Sequence, residues 1–141
     1  MDFYDKFEHT IDAKGRLVLP ASLRRAFEDG GMLTFWNNYA ALFTRESWTR
    51  QRGLIEESGE FTPVERQYLW SMASPFLADS QHRIIIGQRL RQRARLGKDV
   101  TIVGSVSHVA IYDRDAWNGV EASMEAEAST LDEKFARAGI L

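Results

Sequence analysis

Two stretches of the chain decide its fold: DAKGRLVLPASLR at residues 12–24 and DSQHRIIIGQRLR at residues 79–91. In both, an Asp-x-x-x-Arg turn precedes a three-residue apolar run, and a Leu-Arg pair follows at the same spacing. Further matches continue along the chain at the same or nearly the same offset, pairing Gly30 with Gly97, Thr34 with Thr101 and Trp48 with Trp117. A series of matches this long indicates an internal duplication.

Each copy has the pattern strand, turn, strand, short helix, strand, turn, strand, helix. Gly15 lies in the first turn, where a positive φ costs glycine little. Pro20 suits the first turn of a helix that Gly30 would end, and Asn37 and Asn38 predict a hairpin between two apolar strands. In the second copy the corresponding helix is expected over 89–96. Neither copy is long enough to close a core by itself, so the two are expected to pair as a pseudo-dimer with one shared β core.

The segment between the copies predicts a helix. Thr62-Pro63-Val64-Glu65 has the form of a capping box with proline at the first helical position. The apolar residues that follow have helical spacing and predict one buried stripe, made of Val64, Tyr68, Leu69 and Met72. Near the end of the second copy, Asp113 is expected to cap a C-terminal helix.

Length and composition exclude several classes of protein. The chain has 141 residues, a formal net charge of −2 and no cysteine, which excludes disulfides, thiolate metal sites and cysteine nucleophiles. It has no secretory signal pattern and no apolar run near the ~18 residues that span a bilayer, so a cytoplasmic protein without a membrane partner is expected. The three histidines, His9, His82 and His108, lack metal-ligand spacing, and no nucleophile or nucleotide-binding motif is present. We therefore expect no enzyme, cofactor, metal or small-molecule substrate.

The positive charges are concentrated in two islands. Residues 12–25 carry four cations against one acid, and residues 79–98 carry six against one, whereas 56–65 and the tail after Val120 are acidic. The islands occupy equivalent places in the two copies. A net charge near zero therefore does not argue against nucleic-acid binding by these segments.

The Asp-x-x-x-Arg turn has two interpretations. In the structural one, Asp12 accepts backbone N–H bonds within the turn and pairs with Arg16 across it. In the functional one, the carboxylate orients the guanidinium toward DNA, where arginine contacts guanine edges and Lys14 anchors a phosphate. The duplication of the turn strengthens the functional interpretation without excluding the structural one.

The two Asp-x-x-x-Arg segments, in the surroundings FEHTIDAKGRLVLPASLR at residues 7–24, resemble the MraZ family of bacterial transcriptional regulators. The resemblance runs to about Trp117 and assigns roles to six residues. It implies DNA contacts by Lys14, Gly15, Arg16 and Arg83, with Asp12 and Asp79 orienting the loops. The second copy departs from the family pattern at Gln81, His82 and Gly87, so its turn is expected to differ in shape.

The resemblance also implies a fold. It is α+β and β-rich, with two tandem swapped-hairpin modules of the SpoVT/AbrB type that form a pseudo-dimeric β-barrel core with flanking helices. The expected modules are 5–51 and 76–119, with a helical linker at 52–75 and a C-terminal helix and tail at 120–141.

The function implied is a sequence-specific DNA-binding regulator or repressor. It would bind short direct repeats of double-stranded DNA in the promoter of the division and cell-wall gene cluster, including its own gene. It would act as a homo-oligomeric ring associated with the nucleoid, and the arginines at 89–95 could face the acidic stretch 56–65 of a neighbouring subunit. The alternative is an AbrB-type antitoxin or interaction scaffold whose acidic tail wraps a partner.

Overall fold

The computed structural model describes residues 1–140, so Leu141, the last residue of the expected tail, lies outside it. The elements of the first copy are β1 (Lys6–Thr10), β2 (Arg16–Val18), a 3₁₀ turn (Ala21–Leu23), β3 (Gly31–Trp36), β4 (Tyr39–Phe43) and α1 (Arg45–Glu57). The helix α2 (Pro63–Ser71) follows. Those of the second copy are β5 (Ser74–Phe76), β6 (Arg83–Ile85), α3 (Gln88–Arg93), β7 (Asp99–Gly104), β8 (Val109–Asp113) and α4 (Arg114–Ala126), before α5 (Ala128–Arg137).

The two copies exchange their first strands. The main sheet is antiparallel and has the order β1-β7-β8-β4-β3-β5, so β1 of the first copy pairs with β7 of the second, and β5 of the second pairs with β3 of the first. The centre of the sheet is the β4–β8 pair, in which Ala41 lies opposite Ala110. This arrangement confirms the swapped-hairpin pseudo-dimer. The sheet is open, with β1 and β5 as edges, so the expected closure into a β-barrel is wrong.

The second strands of the two copies form a separate ribbon on one face of the sheet. β2 and β6 pair antiparallel, with Leu17 opposite Ile84 at the centre. Both side chains are almost completely buried, and they pack with Leu19, Ile86 and the apolar face of the sheet in the larger core cluster. Because every second residue of a strand points to the same side, burial of these positions turns their neighbours outward.

Helices α1 and α4 cover the opposite face. Trp48 of α1 packs against Phe43, with ring centroids 5.7 Å apart, and Trp117 of α4 packs against Tyr112 at 5.1 Å. The duplicated tryptophans therefore occupy equivalent packing positions beneath the last strand of each copy. The molecule has three layers, in which the sheet separates the ribbon from α1 and α4.

Helix α2 begins as predicted, but its apolar face is not buried. Thr62 Oγ1 accepts from the Glu65 N–H at 3.1 Å and Glu65 Oε1 accepts from the Thr62 N–H at 2.8 Å, which completes the capping box. Met72 is buried, yet Val64 is 70% and Tyr68 44% exposed. The predicted buried stripe is wrong, because Phe35 contacts Tyr68, with ring centroids 5.9 Å apart, but leaves Val64 and Tyr68 largely exposed.

Two other expectations are corrected by local hydrogen bonding. The segment after Pro20 forms a 3₁₀ turn and further i→i+3 turns instead of an α-helix, because it is too short to nucleate one between two fixed ends. Asp113 occupies the N-cap position of α4, but its carboxylate accepts from the Gly97 N–H at 2.9 Å and makes no side-chain cap.

The arginines of α3 contact their own chain. The Arg93 guanidinium lies 4.3 Å from the ring centroid of Phe35, and Arg91 packs beside Gly15. The pairing of this helix with the acidic stretch 56–65 of a neighbouring subunit stays a prediction. None of the helices within residues 1–140 is long and apolar enough to cross a membrane.

Candidate nucleic-acid interface

The first loop is built around the Asp12 carboxylate. Oδ1 accepts from the backbone N–H groups of Lys14 and Arg16, both at 2.9 Å, and Oδ2 accepts from Arg16 Nε at 2.6 Å. Gly15 has φ +79° and closes the turn with an N–H bond to the Asp12 carbonyl. The structural interpretation of Asp12 is therefore confirmed: it fixes both the loop and the direction of the Arg16 side chain.

The second loop repeats this geometry. Asp79 Oδ1 accepts from the N–H groups of Gln81 and Arg83 at 2.9 Å, and Oδ2 accepts from Arg83 Nε at 2.8 Å. His82 replaces Gly15 at a φ of +61°. The expectation of a different turn shape is wrong, because the carboxylate bonds hold the backbone in a conformation that histidine rarely adopts.

Hydrogen bonding favours the charged form of both carboxylates. The Arg16 backbone N–H is the largest cause of a lowered pKa of Asp12, and the Arg16 side chain adds to it. The Arg83 backbone N–H lowers the pKa of Asp79 in the same way. Each loop therefore holds a carboxylate anion and a guanidinium together at neutral pH. The pair binds through the Nε edge of each arginine, and within residues 1–140 the Nη atoms have no hydrogen-bond partner.

The loops stand at opposite ends of the ribbon and share its outer face. Since Leu17 and Ile84 point inward, Arg16, Val18, Arg83 and Ile85 point outward. Arg16 lies opposite Ile85 and Val18 opposite Arg83, which makes the two arginines diagonal neighbours. Such neighbours in an antiparallel pair are about 7–8 Å apart.

Two exposed apolar residues of the ribbon, Val18 and Ile85, were not predicted from the sequence. Both were counted as apolar strand residues, yet Ile85 is 66% and Val18 37% exposed. Their exposure could have been predicted, because side chains alternate along a strand, and a three-residue strand that buries its middle residue exposes the residues on either side. The outer face is thus an apolar pair flanked by two carboxylate-held arginines.

This arrangement suits a DNA groove. A two-stranded β-ribbon fits the major groove, guanidinium groups bind guanine O6 and N7, and apolar side chains contact thymine methyl groups. Lys14, at the exposed tip of the first loop, is in a position to bind phosphate. Within residues 1–140 no three histidine, aspartate or glutamate side chains gather as a metal site.

Comparison with known proteins agrees with the doubled site. A family model described as "MraZ protein, putative antitoxin-like" matches the chain twice, at residues 3–70 and 71–138. A protein of Roseiflexus sp. (strain RS-1) named "Transcriptional regulator MraZ" is 36% identical over 138 residues, which cover 95% of this chain and 96% of that protein. A protein of the same name from Acetivibrio thermocellus is 30% identical over 143 residues, covering 98% and 99%.

The two family matches each contain one Asp-x-x-x-Arg loop, and together they span almost the whole chain. The relatives match over nearly their full length as well. The chain belongs to the MraZ family.

Proposed function

We propose that this protein is a sequence-specific DNA-binding transcription regulator that represses the promoter of the division and cell-wall gene cluster, including its own gene. Its target is a set of short direct repeats. The observation that carries the proposal is the outer face of the ribbon, where Asp12 and Asp79 hold Arg16 and Arg83 in fixed directions. Family membership and the names of the relatives support the regulatory role.

The two loops have unequal parts in this function. Arg16 and Arg83 read base edges, while Lys14 anchors a phosphate beside the first loop only, because Gln81 stands at the equivalent place in the second. The carboxylate partners fix the arginines before DNA arrives, which reduces the side-chain entropy lost on binding.

The protein acts as a closed homo-oligomeric ring in the cytoplasm, associated with the nucleoid. The exposed apolar face of α2 supports an assembly: Val64 and Tyr68 border a cleft of about 400 Å³ together with Phe35, Phe61 and Leu69. Exposed apolar surface of this kind marks protein contacts. A ring brings several loops to tandem repeats, and linking weak sites raises avidity by about 10²–10⁴ when the spacing fits.

The test is binding to a fluorescent fragment from upstream of its own gene, against the same fragment with scrambled repeats. Wild type is expected to prefer the repeats, and Arg16→Ala to abolish that preference. Arg50→Ala is the matched control, because Arg50 is an exposed arginine of α1, on the opposite face of the sheet from the ribbon. Equal binding of the two fragments by wild type, or unchanged preference in Arg16→Ala, contradicts the proposal.

The second candidate is an antitoxin or interaction scaffold. The observation that favours it is the acidic C-terminal region, where Leu131 and Phe135 of α5 are each 39% exposed. A protein that co-purifies with the full chain and is lost on Leu131→Asp/Phe135→Asp, together with no preference for the repeats, selects this candidate.

A further inference from the structure

Two clefts flank the loops, and they are related by the internal duplication. The first, of about 680 Å³, lies beside the Asp12 loop, and the second, of about 340 Å³, beside the Asp79 loop. Each lies between the loop of one copy and the helical segment of the other. The equivalent lining positions, 67 residues apart in the sequence, are Asp12 and Asp79, Arg91 and Arg24, and Arg95 and Glu28.

The two clefts differ in charge. Arg91, Arg95 and Lys98 line the first, where Asp12 is the one acid among its lining residues within 1–140. That acid binds Arg16, as Asp79 binds Arg83 at the second loop. The second cleft has two arginines, Arg24 and Arg25, but two acids as well, Glu28 and Asp79. The first cleft therefore has a larger surplus of positive charge than the second.

The equivalent arginines also differ in their hydrogen bonding. Arg24 Nε donates to the Leu19 carbonyl at 3.0 Å. Arg91 Nε is buried and finds no acceptor within residues 1–140, although its guanidinium packs against the first loop. A Cβ built on Gly15 would lie 3.4 Å from Arg91 Cζ. A buried donor without an acceptor is costly, and an anion in the cleft would supply the acceptor once the Arg91 side chain turns toward it.

Arg95 occupies a strained position at the edge of this cleft. Its φ is +55°, and the bond from the Leu96 N–H to the Arg91 carbonyl, 2.9 Å, closes α3 around it. Glycine is the usual residue at such a helix end because it avoids the steric cost of a left-handed conformation. An arginine kept there against that cost indicates a function for its side chain.

We propose that the first cleft seats a backbone phosphate of the DNA whose groove the first loop enters, bound by Arg91, Arg95 and Lys98. The inference rests on the proposed function and extends it. The second cleft has no such seat, so the two ends of the pseudo-symmetric ribbon bind DNA unequally. One chain then binds its target in one direction only, which is what a row of direct repeats requires.

The test uses the full-length protein and compares wild type with Arg95→Gly/Lys98→Ala. Because phosphate contacts carry no sequence information, the variant is expected to bind repeat and scrambled fragments more weakly by the same factor. Loss of this one phosphate contact lowers the magnitude of the slope of log K against log salt by up to about 0.9 for each chain engaged. The ratio of wild-type to variant affinity should therefore change by up to about 3.5-fold between 50 and 200 mM salt. Arg45→Ala/Arg50→Ala, which removes two exposed charges from α1, should leave the slope unchanged.

Unfolding does not explain the expected loss. Arg95→Gly relieves a left-handed arginine, so its Tm should equal or exceed that of wild type while its affinity for DNA falls. A Tm well below wild type would contradict the strain argument, and a slope equal to that of wild type would overturn the phosphate seat.

The outcomes separate this inference from the proposed function. If Arg16→Ala loses the preference for repeats but Arg95→Gly/Lys98→Ala keeps the wild-type slope, the proposed phosphate site is wrong, while the proposed role of the outer face of the ribbon is retained. If wild type shows no preference for repeats, both fall. A free phosphate is the other possible occupant: if calorimetry shows that inorganic phosphate binds to wild type but not to the variant, while the variant keeps the wild-type salt slope for DNA, the cleft binds free phosphate instead of DNA.

Discussion

Gly15 and His82 occupy equivalent positions in the two loops, and the substitutions Gly15→Ala and His82→Gly should change the stability of the protein in opposite directions. Gly15 has φ +79°, and a Cβ there would lie 2.8 Å from the Ile86 carbonyl oxygen. Gly15→Ala adds a left-handed non-glycine residue, which costs about 1–2 kcal/mol. The backbone must also shift, which breaks the 2.8 Å bond from the Ile86 N–H to the Gly15 carbonyl and costs about 0.5–1.5 kcal/mol.

Alanine loses about 0.5–1 kcal/mol less chain entropy on folding than glycine, so the expected loss for Gly15→Ala is about 0.5–3 kcal/mol in the free energy of unfolding. His82→Gly has the opposite sign. It removes left-handed strain of about 1–2 kcal/mol and adds about 0.5–1 kcal/mol of chain entropy in the unfolded state, for a net gain of about 0–1.5 kcal/mol.

The assay is equilibrium urea unfolding followed by tryptophan fluorescence. Chain concentration is held fixed, because assembly would make the midpoint depend on concentration. The shift of the midpoint multiplied by m, the slope of the free energy against urea concentration, gives the change in the free energy of unfolding when m is the same in wild type and variant. A Gly15→Ala protein within about 0.5 kcal/mol of wild type, or a His82→Gly protein less stable than wild type, would refute the account of both loops.

Three further predictions concern orientation, pH and assembly. Asp12→Asn should reduce the preference for repeat over scrambled DNA, because Arg16 loses the carboxylate that orients it. Binding to scrambled DNA should not weaken, because the loop also loses a negative charge. A lower affinity for both fragments would contradict this. Burial lowers the pKa of His108 and of His9 below 6.5, with nearby arginines adding to the effect at His9. The unfolded chain therefore binds more protons than the folded chain below about pH 6.5, so the Tm should fall from pH 7.5 to 5.5. The fall should be smaller in His9→Gln/His108→Gln. An equal fall of Tm in wild type and variant would refute the assignment of this pH dependence to the two histidines. Val64→Asp/Tyr68→Asp should reduce the oligomer measured by light scattering at an unchanged circular dichroism spectrum, and an intact oligomer would place the subunit contact elsewhere.

Local chemistry explains what the sequence could predict of the site. An aspartate four residues before an arginine, with glycine between them, predicts a carboxylate-held turn because all its bonds lie within five residues. The same reasoning predicted a turn of different shape in the second loop, whereas the two turns have the same hydrogen bonds. There the side-chain bonds of Asp79 impose the left-handed conformation on His82, a balance of energies that residue preference alone does not reveal.

The cleft beside the first loop could not be predicted, because its sides come from different copies. The arginines at 89–95 are spaced by two, so their positions in the sequence give them no common face on a helix. In the structure Arg91 packs on Gly15 and Arg95 lies past the end of α3, in a turn that no propensity for arginine indicates. The sequence also marked the apolar face of α2 but not whether its own chain covers it, since periodicity identifies a face and not its partner.

The sequence by itself determined the duplication, the two Asp-x-x-x-Arg loops and the apolar strands, because each follows from contacts among near neighbours or from repetition. Only the tertiary structure decided that β1 joins β7, that β5 joins β3 and that the sheet stays open. The physical reason is that an antiparallel edge accepts any strand with a suitable apolar face. Partner choice therefore depends on how both copies bury their apolar surface together. That exchange of strands sets the two loops at opposite ends of one ribbon and places the arginines of the second copy beside the loop of the first.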